Sequence, residues 1–287
     1  GGSGCTGDPC LRVAVRRAVV AAVERAIRRS VGGALGCAVC SPEMKVVESC
    51  GCFPTGRHYP GIAHLLRIRI AGIVEEIDAD ADWIDELVAF VDTETTGREP
   101  EIDRVVEVGV VIGHRGQVLR EKSWLINPGI PISEESSAVH GIKDSDVRLC
   151  GSFRDVLPEI MAFVGGAIPA AYNAAFDKAF LLAELGRAEG PTTGVPSAKY
   201  PPLFRREVEW IDPLVLAREL YRDEQSRALG DMAQRLGIEL ANAHRATDDA
   251  RAALQVLYAF AKDSRVPRKY GGLMQEQKRL GRTQDRS

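Results

Sequence analysis

The chain has 287 residues, of which 45% are hydrophobic and 27% charged, and a formal net charge of −3. These proportions exclude a disordered polypeptide, and so small a net charge excludes one that holds nucleic acid by bulk electrostatic attraction. No apolar run is long enough to span a bilayer, and the one stretch resembling a signal-peptide core, residues 13–23, is broken by Arg16 and Arg17. The expectation is a cytoplasmic protein with no membrane partner, whose 7 cysteines stay reduced.

The opening Gly-Gly-Ser-Gly reads as a linker, a fragment start or a processed end and carries no fold information. Residues 11–30 place Val13, Val20, Val23 and Ile27 at near-helical spacing among Arg16, Arg17, Arg25, Arg28 and Arg29, which predicts a basic amphipathic helix. Residues 32–60 are rich in Gly, Pro and Cys. Here Cys37-x-x-Cys40 and Cys50-x-Cys52 make a candidate structural zinc set, because thiolates so spaced can share one tetrahedral ion. The second pair is tighter than usual; His58 and His64 are alternative ligands, and free thiols are the plainer reading. Residues 62–77 fit a helix or an edge strand equally well. Asp78, Asp80 and Asp82 are spaced like a calcium loop, but Trp83 and Ala89 stand where that loop requires Gly and Glu. Residues 78–86 are therefore expected to be a solvated linker. This divides the chain into an N-terminal extension (1–80), a main domain (81–263) and a basic, solvated C-terminal tail (264–287).

The main domain reads as α/β. Residues 87–91 form an unbroken apolar run, as in a strand covered on both faces, and residues 105–112 and 118–126 follow as two more strands across the turn at 114–117. Helical patterns occupy 153–164, 176–188, 213–221, 229–236 and 246–261, with short strands at 168–172 and 208–211. The expected architecture is a central mixed sheet, three leading strands antiparallel and later ones parallel, flanked by helices.

The chemistry is concentrated in acidic residues. Asp92 and Glu94 follow the first strand two residues apart, so both project to one side, and two such carboxylates repel unless a cation joins them. Asp177 stands at the start of one helix and Asp249 at the start of another. Asp248 and Asp249 point about 100° apart on a helix, so only one of them can face a common site.

The motifs Phe90-Val-Asp-Thr-Glu-Thr-Thr-Gly97, Asn173-x-x-Phe-Asp177 and His244-x-x-x-x-Asp249 resemble the three signatures of the DEDD exonucleases, in the variant with histidine in its last motif. That family lies within the ribonuclease-H-like superfamily. The segment Val139-His140-Gly141-Ile142 is similar to its proofreading branch, the epsilon-type subunit or domain of bacterial DNA polymerase III. The resemblance implies a ribonuclease-H-like fold and a 3′–5′ exonuclease that releases nucleoside monophosphates. It assigns two Mg²⁺ or Mn²⁺ ions to Asp92, Glu94, Asp177 and Asp249, and the general base to His244. It brings Thr95, Thr96, Asn173, Phe176 and His140 to the substrate, a single-stranded or frayed 3′ end of DNA. A polymerase subunit is the implied partner. Alternatives are an RNA-trimming enzyme of the same family and a non-catalytic module that binds nucleic acid or a polymerase.

Overall fold

The computed structural model describes residues 72–190, 199–240 and 245–284. The basic helix of 11–30, the cysteine set Cys37, Cys40, Cys50 and Cys52, and His244 all lie outside the described residues. The described residues belong to one compact unit, Ile62–Ser287.

Its sheet comprises β1 (Val88–Thr95), β2 (Val105–His114), β3 (Gln117–Leu125) and β4 (Ile168–Ala170), in the order β3-β2-β1-β4. β1–β2 and β2–β3 are antiparallel, and β4 runs parallel to β1. The expected final strand at 208–211 is reduced to one parallel bridge, Ile211 to Ala170. The helices are α1 (Glu134–His140), α2 (Asp144–Val147), α3 (Phe153–Val164), α4 (Ala174–Glu189), α5 (Pro213–Leu220), α6 (Leu229–Leu236), α7 (Ala246–Phe260) and α8 (Tyr270–Gln284).

Strand alternation sorts the core into two layers. Val88 and Phe90 of β1, with Val111 of β2, face Ala250, Ala253, Leu254 and Leu257 of α7. The spacing of those four helix residues is the i, i+3, i+4, i+7 stripe of an amphipathic helix. Ala89 and Val91, with Val108, Val110 and Ile112, face Phe153, Leu157 and Ile160 of α3 and Phe180, Leu181 and Leu185 of α4. Two glycines of β2 let α7 lie close to the sheet. A Cβ on Gly109 would stand 2.3 Å from the carbonyl carbon of Ala246, and one on Gly113 would stand 2.7 Å from a methyl of Leu254.

Two expectations are overturned. Residues 78–86 are no solvated linker. Trp83 is fully buried, donates its indole N–H to Pro267 O at 3.0 Å, and accompanies Ile73 and Val74 into the core. The carboxylate of Asp82 pairs with Lys269 at 2.8 Å and with Arg268 at 3.2 Å. Nor are residues 270–284 a solvated tail: they form α8, and Tyr270, Leu273, Met274 and Leu280 are buried. The positive charges of this stretch lie on the outward face of a packed helix, where they mask a sparse apolar stripe.

Candidate active site

The site forms where β1 outlasts its parallel neighbour. β4 pairs with β1 only from Val88 to Phe90, and then turns away into α4. β1 continues to Thr95, so Asp92 and Glu94 sit within the strand, not beyond its end. The crevice at the carboxyl ends of parallel strands is where open α/β sheets commonly place ligands.

Parity decides what each residue meets. Asp92 and Glu94 share the α7 face with Phe90, and the first turn of α7 brings Asp249 to them. One oxygen from each of Asp92, Glu94 and Asp249 lies within 4.8 Å of the others. Of the two adjacent acids on α7, Asp248 instead pairs with Arg251 at 3.1 Å, so Asp249 is the one directed at the site. Thr93 points to the opposite face, and its hydroxyl donates to Asp177 Oδ1 at 2.8 Å. Asp177, nearly buried in the first turn of α4, is thereby held beside β1 but outside the close trio.

Burial and crowding together raise the carboxyl pKa values. The Asp92 carboxyl is pushed well above the usual carboxylate range by burial, and further by the negative charges of Asp177, Glu94, Asp249 and Glu107. Glu94 is raised to about 8 by burial and by Asp249, Glu107 and Asp177, with Arg245 opposing. Asp177 is raised to about 7 by burial, partly offset by hydrogen bonds from Thr93.

Glu107 is a fifth carboxylate, one that none of the motifs includes. It lies directly opposite Glu94 in the β1–β2 register and is 1% exposed. Its Oε1 accepts from Arg245 at 3.1 Å, and its Oε2 is buried with no hydrogen-bond partner among the described residues. The available signal was a lone acid in the middle of the apolar run 105–112. Asp212 also falls outside the motifs. Its carboxylate accepts from the backbone N–H groups of Asn173 (3.0 Å), Ala174 (3.1 Å) and Leu214 (2.9 Å), tying the starts of α4 and α5 together. An Asp immediately before Pro213 was the legible sign of a helix cap.

The expected substrate residues divide by environment. The hydroxyl of Thr96 donates to Asp103 at 3.1 Å and accepts from Arg104 N at 3.0 Å, while that of Thr95 donates to Gly97 O. His140 is buried: Nδ1 accepts from Ile142 N at 3.1 Å, and Nε2 faces Thr95 O at 3.3 Å, which fits a neutral ring protonated at Nε2. These three side chains brace the end of β1. Asn173, in the left-handed region at φ 67°, is exposed, and Phe176 is half-buried against Phe180.

Crowded oxygen donors with upward-shifted pKa values, together with an orphaned buried carboxylate oxygen, fit a hard divalent cation such as Mg²⁺ or Mn²⁺. A sequence model of the exonuclease family matches residues 89–257. The chain belongs to the exonuclease family. It is 31% identical over 202 residues to the PolC-type DNA polymerase III of Thermotoga maritima, covering 70% of this chain and 14% of that protein. The corresponding enzyme of Streptococcus suis is 31% identical over 221 residues, covering 74% of this chain and again 14% of the relative. The chain thus spans about one seventh of the length of these curated relatives. Among solved structures, a zinc-bound complex of E. coli exonuclease I with single-stranded DNA aligns at TM-score 0.53 and 21% identity, over 67% of this chain and 43% of that one. The nuclease domain of 3′hExo, a DEDDh family member bound to rAMP, aligns at TM-score 0.52 and 17% identity, over 64% of this chain and 96% of that one. The fold is accordingly the ribonuclease-H-like exonuclease fold, and the family is that of DEDD-type 3′–5′ exonucleases. Among the described residues, no helix is long and apolar enough to cross a membrane.

Proposed function

We propose that this domain removes nucleoside monophosphates one at a time from the 3′ end of single-stranded or frayed DNA, in proofreading or repair. The observation that carries the reading is the convergence of Asp92, Glu94 and Asp249 within 4.8 Å, with Asp177 beside them. These four carboxylates would hold two Mg²⁺ or Mn²⁺ ions. When bound, such a pair supplies charge neutralisation at both the attacking and the leaving oxygen of a phosphodiester.

The chain's own residues do the rest. Thr93 fixes Asp177 from beneath the strand, so that its carboxylate meets the site in one orientation. His244 directly precedes Arg245 at the start of α7 and is assigned the general base; a reference pKa near 6.5 suits it to accept a proton from water near neutral pH. Thr95, Thr96 and His140 support the floor on which the terminal nucleotide rests. Asn173 and Phe176 present their side chains to the strand being shortened.

DNA is favoured because the curated relatives are DNA polymerases, and a polymerase subunit or domain is the corresponding partner. RNA is the second reading, supported by the structural likeness to a 3′-exonuclease that recognises the histone mRNA stem-loop, at TM-score 0.52 and 19% identity. Matched 5′-labelled DNA and RNA oligonucleotides, paired and mismatched at the 3′ end, decide between them. Faster shortening of DNA, accelerated by a terminal mismatch and abolished by EDTA, supports the proposal; faster shortening of RNA replaces it with the second reading. Separately, Cys37, Cys40, Cys50 and Cys52 are assigned one structural Zn²⁺. Metal analysis of protein purified without added metal tests this, and the absence of zinc refutes it.

A further inference from the structure

β2 contributes nothing to the three exonuclease signatures, yet it touches the start of α7 at two points on one face. Gly109 meets the helix backbone directly: a Cβ there would stand 2.3 Å from Ala246 C and 2.4 Å from Thr247 N, atoms that cannot swing aside as a side chain can. Two residues earlier on the same face, Glu107 holds the Arg245 guanidinium at 3.1 Å. The carbonyl of Arg245 in turn accepts from the N–H groups of Asp248 (2.8 Å) and Asp249 (3.0 Å). A path of direct contacts therefore runs from β2, through Arg245, to the backbone of Asp249.

We propose that Glu107 and Gly109 form a seat that fixes the first turn of α7, and that Glu107 is a positioning residue acting through Arg245 to set where the Asp249 carboxylate lies. Burial weighs most. Glu107 is 1% exposed, its second oxygen has no partner among the described residues, and the pairing places it opposite Glu94. A structural ion pair gains nothing from that location, since a buried, half-satisfied carboxylate beside another carboxylate is destabilising. The arrangement makes sense where precise placement of a metal ligand outweighs the cost, as outer-shell residues do around bound metals. The inference rests on the metal-site reading above.

The test uses the full chain and separates positioning from simple charge. Neutralising an anion near a cation site weakens cation binding, whereas neutralising a cation tightens it. If Glu107 and Arg245 act only as charges, Glu107→Gln and Arg245→Gln should shift Mn²⁺ affinity in opposite directions. If they act as one positioning unit, both should weaken it. We expect each variant to bind Mn²⁺ ~10- to 100-fold more weakly, read by electron paramagnetic resonance of the free ion on protein whose fold is checked by circular dichroism. Arg245→Gln should also lower Tm, because it leaves the buried Glu107 carboxylate unpaired. The double variant should be no worse than the weaker single variant, because the two act through one contact. Arg245→Lys, which retains the charge, should recover part of the loss. Tighter Mn²⁺ binding by Arg245→Gln, unchanged binding by Glu107→Gln, or losses that multiply in the double variant would each overturn the proposal. Asp92→Asn serves as the control: if it too leaves Mn²⁺ affinity unchanged, the metal-site reading itself fails, and this inference with it.

Discussion

Two acidic regions lie on β2 and its neighbours, and they are built to opposite rules. At Glu184 of α4, a carboxylate that is 1% exposed receives Arg104 Nε at 2.7 Å, Arg104 Nη2 at 3.0 Å, Arg187 at 3.2 Å and the backbone N–H of Val105 at 3.3 Å. At the end of β1, five carboxylates (Asp92, Glu94, Glu107, Asp177 and Asp249) gather, and the Arg245 guanidinium is paired to Glu107 at their edge. The first region stabilises the join between β2 and α4. The second is held in place by packing that it does not itself help to stabilise. Natural folds tolerate such local cost where activity requires it.

The contrast can be broken most sharply at Asp92. Asp92→Asn should abolish 3′ shortening of a labelled oligonucleotide while raising the Tm of the metal-free protein, since one repelling charge is gone. Retention of parental turnover would remove Asp92 from the metal site. At the other region the effect should reverse: Arg104→Ala should leave turnover near the parental value but cost about 3 kcal/mol in urea unfolding. That is the low end for a broken buried pair, because Arg187 remains and Arg104 is partly exposed. A loss of turnover without a loss of stability would refute this division of roles.

The pH dependence sharpens the same comparison. Glu94 and Asp177 have folded-state pKa values raised to about 8 and about 7, above their values in the unfolded chain. Between the unfolded and folded values the native state binds more protons, so stability falls as pH rises through that window. In EDTA, Tm should therefore decline from pH 5 to pH 8, and Mn²⁺ should remove most of the decline by replacing the protons. A Tm that climbs across this range in EDTA would contradict the raised values. The smallest expected effect lies away from both regions, where Val74 N–H donates to the Tyr270 hydroxyl at 3.2 Å. Tyr270→Phe leaves that buried donor unpaired and should cost ~1–2 kcal/mol, with turnover unaffected.

The sequence made β1 and α7 legible because their patterns are strong: an apolar run ended by two acids, and an Ala/Leu stripe behind a pair of acids. Asp177 and Asp249 were readable for the same reason, as acids at helix starts. Trp83 was obscured by the run of aspartates around it, whose solvation says nothing about the one large side chain among them. Tyr270, Leu273, Met274 and Leu280 were obscured by Gly271, Gly272 and the flanking cations, which lower local hydrophobicity without disturbing the spacing. Glu107 showed only as a lone acid in an apolar run; its place opposite Glu94 required strand register, which emerges only when two strands are aligned.

The join between the two ends of this unit has a consequence for how it is made. Trp83 hydrogen-bonds across 184 positions to Pro267, and Val74 across 196 to Tyr270. A ribosome delivers β1 long before the helices that cover it, so the acidic strand spends much of synthesis without its lid. Contacts of such long sequence separation also slow folding, since the loop between them must be closed before they form. The nascent chain thus cannot bring Asp249 to Asp92 and Glu94 until α7 has emerged, nor cover Trp83 and Val74 until the start of α8 has. The acidic site is therefore completed late, when most of the described fold has already been synthesised.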